Sequence, residues 1–577
     1  MIPILLSWLL LACATAAAQP FDLTILHIND LHSHFDPTDP YGARCKPGTE
    51  VRCVGGAARQ LHLARSLRAQ HPASLLLNAG DNFQGTPWYS VFKSRVVTEV
   101  TELMKYDALC LGNHEFDDGP SGLQPFVSRL KGSVPVLACN ANFSAEPAIE
   151  SSVNKSTVLT VQGHRIGIIG AITVDTPALS SPGNVTFSDD IAAIEMEAEM
   201  LQKQGVAIII ALTHVGYERD MEIAAKVPAV DVVVGGHSHS FLYTGEDHPK
   251  EDKPKGPYPT VVTRADGTKG LVVQAHCYGK YLGFLNVSFN AAGNIVTWSG
   301  NPILLEHSIP EDEDMLRVLG KYREYVTAAT RAPVGASRVL LNADDGACRR
   351  AECNIGNLLA DSFFENYLDM ETSSKHVWSV ANGVLLNGGS IRTSIGRSDQ
   401  INMEDVMIAL PFGNKLALVN LTGAQLYRLF EHGVENYHPL EPSGSFPQVS
   451  GFRVHYDVSR PKMERVVSLK TLCTHCIVPA LEVVDVNEHY TIVTIEYIAK
   501  GGDGYDFSDA DILEYGDKDI DAFVEYFRKL SPVAPTIEDR IVFVNTPQAQ
   551  TKGNAADGTS CDIHVALIVA LFSLLVT

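Results

Sequence analysis

Short apolar runs recur through the first half of the chain, separated by stretches in which apolar positions repeat every three or four residues. Leu23–Ile28, Ser74–Leu77, Ala108–Leu111, Ile166–Ile169, Val206–Ala211 and Val230–Val234 read as buried strands, continuous in hydrophobicity and too short for helices. Ala57–Arg68 and Asp190–Lys203 carry the helical period between them. Such strand–helix–strand alternation predicts an α/β domain. From Pro310 to Arg331 the pattern turns helical and charged, beginning at Glu311-Asp-Glu-Asp314, where acidic residues suit a helix N-terminus. Pro333-Val-Gly335 ends that stretch. Residues 310–334 are therefore expected to link a first domain, 19–309, to a second, 335–548.

Both ends read as processing signals. Ile2–Ala18 is apolar with an alanine-rich end, so residues 1–18 are expected to be a secretory signal. Val565–Val576 is too short to cross roughly 30 Å of hydrocarbon. It follows three small residues, Asn554-Ala555-Ala556, and a polar spacer, Asp557–His564. That order predicts a glycolipid (GPI) attachment signal, 549–577, with attachment near Asn554 and a mature protein on the outer face of the plasma membrane. Cysteine usage agrees with export. Of 11 cysteines, Cys13 and Cys561 lie in the removed ends, and three local pairs stand out: Cys45 with Cys53, Cys348 with Cys353, and Cys473 with Cys476. Cys110, Cys139 and Cys277 are left, an odd number, so at least one is expected free; Cys110 and Cys139 are open to pairing. Glycan acceptor sequons occur at Asn142, Asn154, Asn184, Asn286 and Asn420.

The length of 577 residues suits two sizeable domains. A formal charge of -22 argues against nucleic acid or an anionic membrane as the main partner. A phosphate-bearing substrate would need bound cations and local arginines to reverse that field.

Five motifs, each at the end of an apolar run, carry the chemistry. They are Asn29-Asp30-Leu31-His32, Gly80-Asp81-Asn82, Gly112-Asn113-His114-Glu115, Thr213-His214 and Gly235-Gly236-His237-Ser238-His239. Ligands gather at strand C-terminal ends in α/β folds, because the loops there are free to converge. Asp, Asn and His supply the oxygen and imidazole donors that divalent ions accept. Glycines before Asp81, Asn113 and His237 permit tight turns and close packing. Singly each motif is more often structural; together, in this order, they are a metal centre.

The order of these motifs resembles that of the calcineurin-like metallophosphoesterases, and Asn29-Asp-Leu-His-Ser-His34 with Gly112-Asn-His-Glu-Phe-Asp117 resembles the 5′-nucleotidase family, its anchored ecto-members most of all. The similarity runs from Phe21 to Val544. It implies an N-terminal four-layer α/β/β/α metallophosphoesterase domain, a linker helix and a C-terminal α/β substrate-binding domain. It also implies two divalent metal ions, zinc foremost. One would be held by Asp30, His32 and Asp81 with His239 nearby, the other by Asp81, Asn113, His214 and His237. A carboxylate suits the bridging position because it has two charged oxygens, and paired ions clamp both attacking and leaving oxygens. His114 would serve as charge stabiliser or proton donor, oriented by Asp117; alternatively Asp117 caps the next helix. Arg349, Asn387, Arg392, Phe412, Tyr497 and Asp503 match the family's substrate contacts: arginines for phosphate, two aromatics for the base, a carboxylate for ribose. His34, His239, Asn78 and Tyr497 depart from the mammalian pattern, and Ala360 with Val384 stand where a cysteine pair would be.

The resemblance implies hydrolysis of nucleoside 5′-monophosphates, AMP foremost, by a homodimer. An apyrase-like action on ATP and ADP shares every motif, and a non-catalytic nucleoside-binding surface glycoprotein would share the export signals. The C-terminal tail favours the anchored monophosphatase, by analogy alone.

Overall fold

The computed structural model describes residues 20–46, 48–368, 377–439 and 442–544. The expected signals 1–18 and 549–577 lie outside the described residues, and with them Cys13, Asn554 and Cys561. Among the described residues no helix is long and apolar enough to cross a membrane.

Strand alternation builds the first domain. Phe21–Ile28 lies parallel to Ser74–Asn78, which continues parallel to Ala108–Cys110 and Val136–Leu137. Successive side chains on these strands face opposite ways. Leu23, Ile25, Leu75, Leu77, Ala108 and Cys110 pack with Ile168, Ile210 and Val233 of a second sheet. Leu26, Ile28, Leu76, Leu109 and Leu111 pack instead with helices Ala57–Gln70, Ser94–Met104 and Gly119–Leu130. Each such buried aliphatic side chain contributes about 1.5–3 kcal/mol, and both faces are apolar because both are covered.

The second sheet runs in the order Thr260–Thr263, Lys269–Val273, Val232–Val234, Ile208–His214, His164–Ile172, Ser156–Val161, its four inner strands parallel. Helices Asp190–Lys203 and Tyr217–Lys226 cover its outer face through Ile194, Ala198, Leu201, Ile223 and Ala224. The layers are thus helix, sheet, sheet, helix, as the resemblance implied. Antiparallel strand Tyr281–Phe289 extends the first sheet beyond Phe21–Ile28 and pairs in turn with Ile295–Gly300.

The connecting helix is Glu313–Thr330, begun by Asp312, whose side chain accepts from the amides of Asp314 and Met315. Its Met315, Leu319, Tyr322 and Val326 sit in the helix-side core of the first domain. The linker is therefore one of that domain's outer helices. Beyond it Pro333–Ser337 becomes a strand paired with Ser398–Asn402. A separate core, from Val334 to Ile541, then surrounds a five-stranded sheet ordered Pro447–Ser450, Gly383–Asn387, His489–Ile495, Lys415–Thr422, Asp511–Lys518.

The three local cysteine pairs form disulfides, Cys45–Cys53, Cys348–Cys353 and Cys473–Cys476. Cys110, Cys139 and Cys277 are all free and buried. Cys110 does not pair with Cys139; its thiol donates to Ala171 O at 3.2 Å instead.

One buried carboxylate anchors the loop that carries Phe412. Asp519 accepts from the amide of Asn414 at 3.1 Å and of Ile520 at 2.7 Å, and its own amide donates to Asn414 O. Burial pushes its carboxyl up to about 7, against the pull of those amides. A carboxyl with a raised folded-state pKa binds its proton more tightly folded than unfolded. Its contribution is complete below the unfolded value of about 4 and is lost as pH rises through about 7. Asp519→Asn should therefore flatten the decline in stability over that window, as read from denaturant midpoints at successive pH values.

Candidate active site

The two sheets present their strand ends along one edge, and the five motifs meet there. Asp30 follows Phe21–Ile28, Asp81 follows Ser74–Asn78, Asn113 follows Ala108–Cys110, His214 ends Ile208–His214, and His237 follows Val232–Val234. The sharp turns need unusual backbone. Asp30, His32, Asp81, His237 and His239 all have φ between 47° and 76°, a region that costs a non-glycine residue roughly 1–3 kcal/mol and persists only where surrounding bonds enforce it. Gly112 serves another need: a Cβ there would lie 2.2 Å from Asp81 Oδ1.

All seven expected ligands converge. Asp30, His32 and His239 form one cluster of donor atoms, and Asp81, His214 and His237 another. His239 Nε2 lies 3.3 Å and His32 Nε2 3.9 Å from Asp30 Oδ1. His32 Nε2 is also 3.7 Å from Asp81 Oδ2, and His214 Nε2 is 3.0 Å from that same oxygen. His237 Nδ1 is 3.0 Å from Asn113 Oδ1. Asp81 thus stands between the two clusters, where the bridging role was expected.

Hydrogen-bond chemistry tests whether cations fit. His214 Nδ1 faces Ala79 O at 2.7 Å. A carbonyl only accepts, so Nδ1 carries a hydrogen; Nε2 either holds a proton against the carboxylate or, deprotonated, offers a lone pair to a cation in that proton's place. That Nε2 is buried without a hydrogen-bond partner, aimed at a carboxylate oxygen. His32 likewise turns its Nδ1 to Phe83 O and Gln84 O, while its Nε2 lies 3.1 Å from Arg392 Nη2 and 3.9 Å from Asp30 Oδ1. Lone pairs facing carboxylates repel unless positive charge lies between them. Burial opposes a charged His214, yet Asp81 and Asp30 push its pKa up to about 10. Burial holds His237 down at about 3 and His239 at about 4, the neutral state a ligand requires. The donor set fits divalent ions.

His114 points its Nδ1 at Asp117 Oδ2, 2.7 Å away, which leaves Nε2 free for the cleft. Burial disfavours its charged form, but Asp117 and Asp81 outweigh burial and raise its pKa. Asp117 does not cap the following helix; Asp118 occupies that position, and Asp117 Oδ1 accepts from Ser180 Oγ instead.

The second domain closes over this centre. Arg349, Asn387, Arg392, Phe412, Tyr497 and Asp503 line the same cleft of about 1620 Å³ as Asp81, Asn113, His114, His237 and His239. Arg392 Nη2 lies 3.1 Å from His32 Nε2, and the Phe412 ring stacks on His114 at 5.9 Å. Burial and the neighbouring Arg392 bring Arg349 down to about 10, the mark of two cations sharing one wall. Asn387 Nδ2 donates to Asp503 Oδ2 at 2.6 Å, and Tyr497 OH is 2.8 Å from Asp503 Oδ1. Tyr497, where the family has phenylalanine, also places its hydroxyl 3.1 Å from Ala178 O of the first domain. Its ring lies over Gly502, where a Cβ would meet it at 2.6 Å. His34, in contrast, lines a different cavity, its ring stacked on Tyr278.

Two positioning residues were not singled out from sequence. Glu115 accepts from the amides of Asp81 (3.0 Å), Asn82 (2.6 Å), Phe83 (3.3 Å) and Gly112 (2.6 Å), tying the Asp81 turn to the Asn113 turn. Its place inside the Gly112–Glu115 motif was the available signal. Tyr278 packs its ring against His32 and His239, and its hydroxyl donates to Arg392 O at 3.0 Å. It follows the strand Lys269–Val273, one more strand end on the same edge. Glu115→Gln replaces an acceptor oxygen by a donor and strands buried amides, each worth about 1–3 kcal/mol. The variant should melt lower and purify with less bound metal by elemental analysis, whereas a merely local defect would leave the metal content intact.

Comparison with known proteins places this site. Residues 23–241 match the family described as calcineurin-like phosphoesterase, and residues 331–509 the 5′-nucleotidase, C-terminal domain. The chain is 40% identical over 549 residues to a 5′-nucleotidase of Rattus norvegicus, spanning 93% of this chain and 94% of that one. Against the 5′-nucleotidase of Homo sapiens the identity is 39% over 568 residues, spanning 97% and 96%. A crystal structure of a 5′-nucleotidase precursor from Thermus thermophilus superposes with a TM-score of 0.83 at 34% identity, covering 91% of this chain and 100% of that one. The chain therefore belongs to the 5′-nucleotidase family of calcineurin-like metallophosphoesterases and is a metal-dependent phosphoric monoester hydrolase.

Proposed function

We propose that the protein hydrolyses nucleoside 5′-monophosphates, AMP foremost, to nucleoside and phosphate at the outer cell surface, using two divalent ions, zinc in preference. The observation that carries this reading is the shared cleft. The phosphate-seeking arginines and the base-sized aromatics of one domain sit on the ligand cluster of the other, with Arg392 Nη2 3.1 Å from His32 Nε2.

Asp30, His32, Asp81 and His239 would hold one ion and Asp81, Asn113, His214 and His237 the other. Bound there, the ions would acidify a water and neutralise charge on the phosphoryl group. Arg349 and Arg392 offer planar forks to the phosphate oxygens, in keeping with bidentate recognition. His114, fixed by Asp117, presents Nε2 to stabilise charge or pass a proton as the ester bond breaks. Phe412 and Tyr497 flank the base, while Asp503, held by Asn387 and Tyr497, accepts from ribose hydroxyls. Because the contacts come from both domains, closure completes the site and opening releases product.

Export and GPI anchoring near Asn554 are part of the proposal. The three disulfides suit an oxidising compartment. Asn142, Asn154 and Asn184 are exposed, as glycan acceptors must be, whereas Asn286 and Asn420 are half-buried and hydrogen-bonded. The implied homodimer has a candidate face in the exposed Ile477, Val478 and Val483 beside the edge strand Leu481–Val483.

Phosphate release from AMP, ADP and ATP, with and without chelator, tests the reading. Release from AMP that a chelator stops and zinc restores is expected; preferred release from ATP would replace the monophosphatase with an apyrase. Asp81→Ala should abolish turnover by more than about 10³-fold, while Phe412→Ala should mainly raise KM for AMP.

A further inference from the structure

Strand His164–Ile172 leads into a loop, residues 173–181, that runs along the wall of the cleft. The loop carries none of the expected metal or substrate contacts, yet its hydrogen bonds reach three parts of the site. At its base the amide of Thr173 donates to His214 O at 2.9 Å, so the loop starts from the strand end that presents His214. Thr176, fully buried, donates Oγ1 to Thr173 O at 2.7 Å, and the amide of Ser180 donates to Thr176 O at 2.9 Å. On the short helix Thr176–Leu179, Ala178 O lies 3.1 Å from the Tyr497 hydroxyl of the second domain. The backbone of Ser180 is thus placed by bonds that do not involve its side chain.

That side chain reaches across to the loops of the first sheet. Ser180 Oγ donates to Asp117 Oδ1 at 2.7 Å, while Asp117 Oδ2 takes His114 Nδ1 at 2.7 Å. His114 and Asp117 are each 12% exposed, so water has little room to replace either bond. A hydroxyl has one hydrogen, and here it goes to Asp117. None is left for a phosphate or ribose oxygen.

The last torsion of an aspartate side chain is soft, a broad two-fold well. With one hydrogen bond the carboxylate can swing about the bonded oxygen. Two bonds, on different oxygens and from different segments, fix its plane. The imidazole follows, because its Nδ1–H is aligned with the oxygen that accepts it.

We propose that Ser180 is a positioning residue for phosphate-ester hydrolysis. Its hydroxyl sets the Asp117 carboxylate, and through it the direction in which His114 Nε2 points into the cleft. This rests on the reading of His114 given above, as the group that stabilises charge or passes a proton. The loop also ties His114, at the edge of the first sheet, to His214, at the edge of the second, so the two keep one relative geometry. The effect falls on kcat rather than on KM, since Ser180 offers the substrate no donor.

The test is a double-mutant cycle on the full protein with its metals. AMP and p-nitrophenyl phosphate are the substrates, the second keeping the cycle readable whichever nucleotide the cleft prefers. Ser180→Ala should lower kcat by about tenfold, the lower end for partners of this kind, with KM for AMP within about twofold and metal content unchanged. Asp117→Ala should lower kcat by about 100-fold. The double variant should match Asp117→Ala alone, because Ser180 then has nothing to position. Ser180→Thr, which keeps the hydroxyl, should recover most of the kcat lost in Ser180→Ala. A double variant slowed by the product of the two single effects, or a Thr variant as slow as the Ala one, would overturn the proposal. So would a raised KM with kcat kept, which would make Ser180 a substrate contact. Asp117→Ala at full rate overturns the reading of His114 together with the proposal. Asp117→Ala slowed beside Ser180→Ala at full rate overturns the proposal alone.

Discussion

Asp81 and Asp30, buried with imidazole nitrogens directed at their oxygens, set the constraint on which the rest of the first domain depends. Two carboxylates and several neutral imidazoles cannot share so small a space without positive charge among them. His214 shows the demand most directly: its Nε2 has no hydrogen-bond partner and lies 3.0 Å from a carboxylate oxygen. The protein meets this demand with a donor set fitted to divalent ions. The same ions resolve the charge problem posed by an acidic chain acting on a phosphate ester, because the local field is theirs and the arginines'.

Holding such a cluster requires scaffold that can bear strain. The turns that aim Asp30, His32, Asp81, His237 and His239 use left-handed backbone, which only surrounding bonds can enforce. Glu115 supplies much of that enforcement, gathering amides from two turns onto one carboxylate. On the other sheet, Asp220 takes Thr213 Oγ1 at 2.6 Å and Gln274 Nε2 at 2.8 Å, and Gln274 Oε1 takes the amide of Ser240. His214 and the His237–His239 loop are thereby braced from behind. The ligands are rigid because their supports are buried and satisfied.

The second domain adds specificity through contacts that exist only when the domains meet. Arg392 reaches His32, Phe412 lies on His114, and the Tyr497 hydroxyl lies near Ala178 O.

Much of this was legible in the chain itself. Alternating apolar runs specified the parallel strands, since a strand covered on both faces must be apolar throughout, and Asp190–Lys203 came out as a helix to the residue. Motif order named seven residues whose donor atoms the structure brings together, and close cysteine spacing identified the three disulfides. Other features had no local signature. Glu115 matters because two turns distant in sequence bring their amides to it, and Tyr278 because its ring meets ligands from other strands. Free Cys110 and Cys139 could not be told from a bonded pair, because both face the core between the sheets and only packing there decides whether two thiols meet. His34 was read only as a departure from the family pattern, and the structure shows its ring stacked on Tyr278. Sequence determined which residue types stand at the strand ends and therefore the class of chemistry. Only the tertiary structure decided which of them face one another, because direction and distance are set by packing between segments that the chain keeps far apart.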